Sequence, residues 1–200
     1  RKQLPRESEG FDRLSEEWKT ITLRMFLGKT AMKATHFEPP PYLYNKLNRM
    51  NDKLELIQRA LEKYLETKRH VFPRFYFISN DDMLEILGNS KKPEAVQPHL
   101  KKLFDNLVKL KMQKNLVTNK LEALGMFSED GEYMEFPKGI ILDGPVETWL
   151  LEVEAQMKAS LRKEFKPCRS ALKKMLSKRD KWLLTYCGQL CNACSQVITI

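Results

Sequence analysis

Glycine is scarce in this 200-residue sequence: there are 8 glycines, or 4%, against a usual ~7%. Half of them, Gly125, Gly131, Gly139 and Gly144, crowd into one short stretch. A chain so poor in the residue that opens left-handed turns is not built from many short strands, and most of it is expected to be helical. Long apolar runs are missing too. No stretch approaches the ~18 uninterrupted apolar residues of a membrane span, and the start at Arg1 has neither signal-peptide nor transit-peptide organisation. A cytosolic-type compartment is expected, with no membrane partner. The three histidines, His36, His70 and His99, are scattered and show no paired metal-ligand spacing. There is no G-x-x-x-x-G-K-[ST] phosphate cradle, no G-x-G-x-x-G after a strand and no G-x-S-x-G nucleophile elbow. No histidine has a sequence-adjacent acid and nucleophile that would mark a triad. The chain is therefore expected to be non-catalytic by itself, with no catalytic residue, cofactor-binding residue or metal ligand.

Cysteine is confined to Cys168, Cys187, Cys191 and Cys194. A chain of this size does not need disulfide staples, so reduced thiols in a reducing compartment are expected. The last three read C-x-x-x-C-x-x-C, a spacing used for iron–sulfur clusters in radical enzymes. Such a cluster needs thiolates on an irregular loop. Here the i, i+4, i+7 spacing continues a helical apolar stripe through Leu183, Leu190 and Val197, which favours small core-facing cysteines.

The residues that are plentiful form amphipathic patterns. Leu14, Trp18, Ile21 and Met25 recur at helical spacing after Phe11 and predict a helix to about Ala34, ended by Pro39, Pro40 and Pro41. Leu43, Leu47, Met50, Leu54, Ile57, Leu61 and Tyr64 form a strict heptad with mixed charges on the other faces. A long antiparallel bundle helix is expected in preference to a dimeric coiled coil. Phe72, Pro73, Arg74, Phe75, Tyr76, Phe77 and Ile78 follow, the densest aromatic cluster in the chain, with Pro73 interrupting any helix. Ser79 is the natural N-cap of a helix over residues 80–87 stopped by Gly88. These contiguous aromatics, flanked by acids, read as a packed joint between helices rather than as a base-stacking platform.

Pro98 predicts a helix through Leu100, Leu103, Phe104 and Leu107. A β-hairpin is expected on Asp130–Gly131, joined by a strand near Lys109 to Gln113 and leaning on helices, since so few strands are marginal alone. Pro145 then opens a long helix through Trp149, Val153, Met157, Leu161, Cys168, Leu172 and Met175, which Pro167 should kink or divide. Between Lys158 and Lys181 stand ten basic residues and two acids, so nearly all of the chain's formal +9 sits there. On a continuous helix Lys158, Arg162, Lys166, Arg169 and Lys173 share one face, a candidate docking surface for an acidic protein. A final helix from Lys181 towards Ile200 ends without a stop signal, as a piece of a longer chain would. The fold class expected is mainly α: elongated helical bundles with a small antiparallel β-hairpin insert. It divides into a helical segment over 1–78, short helices over 79–110, a hairpin region over 111–144 and long helices over 145–200.

The text Leu61-Glu62-Lys63-Tyr64-Leu65-Glu66-Thr67-Lys68-Arg69, with residues 72–87 after it, resembles dynein heavy chains in the linker region before the motor ring. The likeness extends through residues 96–102, where it is more axonemal than cytoplasmic, and through 125–132, 146–150 and 195–197. It departs between about Phe165 and Leu190. The resemblance implies a helical rod with a small β element that arches over a ring of ATPase modules and bends and straightens as a lever. ATP and Mg would belong to the ring of the full-length chain, and none to this part. Partners would be that ring and, through the whole protein, microtubules and dynein intermediate and light chains in the cytoplasm, cytoskeleton and cilium axoneme. In this frame residues 72–77 are a candidate joint or its core, and the basic face is a candidate ring-docking surface. The rival expectation is a helical adaptor that binds nucleic acid or an acidic surface through the basic helix.

Overall fold

A computed structural model describes residues 4–35, 42–116, 118–174 and 178–199, with backbone only at 198 and 199. His36, the Pro39 to Pro41 run, Met175 and Ile200 lie outside these, as do the side chains of Ile198 and Thr199. Among the described residues the fold is mainly α, with one three-stranded antiparallel sheet. The chain divides into two compact units, residues 1–67 and 68–200.

In the first unit α1 (Pro5–Gly28) and α2 (Ala31–Thr35) precede α3 (Leu43–Val71). The first helix thus starts earlier than its periodicity predicts, because Pro5 occupies a first-turn position where a missing amide costs nothing. It also stops short of Ala34. Lys29 adopts the left-handed conformation that closes a helix, at φ 58°. Leu14, Ile21 and Met50 form a small core, with Met25, Leu43, Leu47 and Ile57 partly buried against it. Lys46 lies 3.5 Å from Glu17, and Gly10 faces Ile57, so α1 and α3 run antiparallel. Trp18, expected in the stripe, is 53% exposed, and Leu54 of the heptad is exposed, whereas Leu65, outside the heptad, is buried. A straight helix drifts ~20° per heptad from a strict repeat, so one face cannot carry all seven positions inward.

The second unit begins with the last residues of α3. A 3₁₀ turn at Pro73–Phe77 follows, then α4 (Asn80–Gly88), a turn at Pro93–Val96 and α5 (Gln97–Leu103). The Ser79 hydroxyl caps α4 as expected, accepting from the Asp82 amide at 3.1 Å. The helix at Pro98 ends at Leu103 rather than running on through Leu107, and Phe104 is extended, yet Phe104 and Leu107 are still buried.

The strands β1 (Lys109–Lys114), β2 (Leu121–Phe127) and β3 (Tyr133–Ile141) pair in that order. The predicted turn joins β2 to β3, with Gly131 at φ 83°. Gly125 allows Tyr133 to cross it: a Cβ there would stand 2.6 Å from the tyrosine ring. The β2–β3 register shifts between Ala123 and Gly125, opposite the part of β3 that holds Pro137, an edge-strand proline as physics requires.

The helix α6 (Val146–Lys174) crosses β3 and packs against α8 (Gly188–Thr199). The Ser160 hydroxyl donates to the Glu135 carbonyl at 2.9 Å, fastening α6 to β3. On the other side of the sheet's order, the Gln97 side chain pairs with the main chain of Leu110 in β1. Of the two outcomes expected at Pro167, a kink or a division, division does not occur, and α6 continues through the proline. Cys168 and Leu172 beyond it are buried with Trp182, Leu190, Cys191 and Cys194, and the Trp182 indole donates to the Cys168 carbonyl at 3.0 Å. This packing holds the helix through the lost backbone hydrogen bond. The final helix is also two pieces, α7 (Arg179–Leu183) and α8, separated by a break at residues 184–187. Leu183 and Val197, expected in the apolar stripe, are 48% and 46% exposed.

Candidate functional site

The aromatic segment is split by its 3₁₀ turn. Phe72 and Phe75 are completely buried, while Tyr76 and Phe77 are 55% and 71% exposed. Phe72 meets Phe75 edge-on at 5.0 Å between ring centres and tilts against Phe104 at 6.1 Å, the offset geometries that aromatic quadrupoles favour. Pro73 starts the turn on the exposed side. Arg74 ties the turn to two helices: it donates to the Leu103 carbonyl at 3.2 Å, stands 3.4 Å from Glu154 of α6, and lies 4.9 Å over the Phe104 ring. One planar guanidinium can stack and donate in several directions at once, which an ammonium cannot. Just before the turn, Lys68 pairs at 2.5 Å with Glu147, a buried carboxylate in the first turn of α6.

The five basic residues Lys158, Arg162, Lys166, Arg169 and Lys173 are all exposed on α6. Lys158 is bound to Glu154 at 2.7 Å. Its hydrogen bond holds the Glu154 carboxyl below the usual range, with a smaller contribution from Arg74. Among the described residues, no carboxylate lies within ion-pair distance of Arg162, Lys166, Arg169 or Lys173.

Sequence reasoning missed a third constellation. Asp82 and Glu85 project from α4 at i, i+3 spacing, and the fold brings His99 of α5 between them. His99 Nδ1 lies 3.5 Å from Asp82 Oδ1, and Nε2 lies 3.5 Å from Glu85 Oε2. Lys102 Nζ donates to both Asp82 oxygens, at 2.8 and 2.9 Å. This bond, followed by that from the Ser79 hydroxyl, holds the Asp82 carboxyl low. The usable signal was the acid pair on a capped helix. The histidine, distant in sequence, gave none. The thiols form no comparable set. Cys168, Cys191 and Cys194 are buried and Cys187 half-buried, as reduced, core-facing cysteines would be. Burial pushes the Cys168 thiol up to about 12.

The family profile described as "Dynein heavy chain, N-terminal region 2" matches residues 1–168. The chain belongs to the dynein heavy chain family. It is 54% identical over 198 residues to dynein axonemal heavy chain 2 of Mus musculus and 52% identical to that of Homo sapiens, spanning 98% of this chain. It is 38% identical over 199 residues to the dynein-1-beta heavy chain of the flagellar inner arm I1 complex of Chlamydomonas reinhardtii. The chain spans 4% of the length of each of these heavy chains. The part matched by the dynein profile includes the aromatic turn and the Asp82, Glu85, His99 group. Arg169, Lys173 and three of the four thiols lie beyond it.

Proposed function

We propose that this chain is part of the linker of an axonemal dynein heavy chain, a mechanical lever that couples ATP-driven changes in the motor ring to force on microtubules. The full-length chain would be a microtubule motor ATPase of cilia or flagella, with ATP and Mg held in its ring. Intermediate and light chains would join through other parts of the molecule. The observation that carries this reading is the junction at Arg74, in a chain matched by the dynein profile over residues 1–168. A lever needs stiff helices and a few packed junctions between them, and Arg74 with Phe72 and Phe75 fastens the end of one helix to two others. The unpaired face of Arg162, Lys166, Arg169 and Lys173 is the proposed docking surface for acidic residues of the ring.

Replacing Phe75 and Tyr76 by alanine in the motor should reduce gliding velocity, and unchanged motility and melting would refute the joint. Charge reversal at Lys166, Arg169 and Lys173 should weaken linker docking, read by fluorescence transfer across the ring. If docking is unchanged and the wild-type chain binds nucleic acid with a steep salt slope, the adaptor reading replaces this one.

A further inference from the structure

We propose that Asp82, Glu85 and His99 bind a divalent transition-metal ion of zinc's class, independently of the linker reading. One donor atom from each residue lies within 4.8 Å of the others. Carboxylates alone would be an ordinary acidic surface. The histidine makes this group different. Its side chain is only 8% exposed, and its Nδ1 is buried without a hydrogen-bond partner although it faces Asp82. A buried imidazole nitrogen normally finds a partner, because leaving it unpaired forfeits the hydrogen bond it had to water.

The separation fits an ion better than a hydrogen bond. At 3.5 Å, Nδ1 and Asp82 Oδ1 stand slightly beyond the ~3.3–3.4 Å expected between two ligands of a tetrahedral ion with bonds of ~2.0–2.1 Å. Glu85 now faces the other ring nitrogen, Nε2, at 3.5 Å, but its side chain is 61% exposed, so it can swing to the Nδ1 side to supply the third donor. The donor set, one imidazole and two carboxylates, suits zinc and its neighbours rather than calcium or magnesium, which take oxygen alone. Three protein ligands leave a position for water, so the ion would exchange. Lys102 now occupies both Asp82 oxygens, and an ion must displace its ammonium from Oδ1. Lys102 is 53% exposed and can leave. The site is therefore a competition between one lysine ammonium and one metal ion for the same carboxylate.

The test is titration of the full chain with Co²⁺, read by the visible absorption of four-coordinate cobalt, followed by displacement with Zn²⁺. One cobalt per chain should give a band that is lost on adding zinc. Asp82→Asn and Glu85→Gln should each weaken binding at least tenfold, while Lys102→Met should strengthen it. Because His99 is buried and its replacement can unfold the region, the exposed Glu85 variant carries the decision. The same band in wild type, Asp82→Asn and Glu85→Gln would overturn the proposal, as would no band in the wild type. A cluster in which His99 simply packs between two carboxylates, with no ion, gives the second result.

Discussion

Lys68 and Glu147 meet at 2.5 Å, joining the last turn of α3 to the first turn of α6, with the carboxylate almost fully removed from water. The arrangement is favourable twice, since Glu147 also faces the positive end of the α6 dipole and Lys68 the negative end of α3. Removing Lys68 leaves the Glu147 carboxylate buried without its ammonium partner. Lys68→Met should lower stability by about 2–4 kcal/mol, somewhat under the range for fully buried pairs because Lys68 is partly exposed. Urea denaturation measures it, and the double variant with Glu147→Gln should recover part of the loss.

The aromatic segment should separate sharply under substitution. Phe75→Ala empties a fully buried site and should cost about 3–5 kcal/mol. Phe77→Ala removes a ring that is 71% exposed and should stay within about 0.5 kcal/mol. Equal effects in thermal melting would contradict the division made by the 3₁₀ turn.

Acid and base should act on different groups. The folded Asp82 carboxyl lies below its ordinary value because Lys102 and Ser79 bond its charged form. That contribution is complete above the unfolded value and is lost as pH falls through the folded one. Lys102→Met should flatten this part of the acid-denaturation profile. At the other end, Cys168 titrates near 12 when folded against 9.0 when unfolded. Between those values the folded state holds the extra proton, so stability falls as pH rises, and Cys168→Ala should lessen the slope.

Pro167→Ala restores an amide inside α6, at an exposed position. The regained hydrogen bond to the Lys163 carbonyl outweighs the greater freedom of the unfolded chain, and a net gain of about 1–2 kcal/mol is expected. A lower melting temperature would mean that the proline's geometry is needed by the Cys168–Trp182 contact.

Much of the fold was legible because its signals are local. Ser79 caps α4 by reaching an amide three residues on, Pro73 stops α3, and Ser128 to Gly131 turn the hairpin. Where local pattern had to predict burial, it failed at Trp18, Leu54, Leu183 and Val197. Helical spacing says which residues share a face, and says nothing of whether another element covers that face.

The sequence by itself determined which segments turn helical or extended, the mainly α class, and the concentration of charge between Lys158 and Lys181, all of which depend on residues a few positions apart. Only the tertiary structure decided that Phe72 and Phe75 go inward while Tyr76 and Phe77 stay out, that α6 continues through Pro167, and that His99 lies between Asp82 and Glu85. Those outcomes depend on contacts between distant segments, whose energies exceed the local preferences they override.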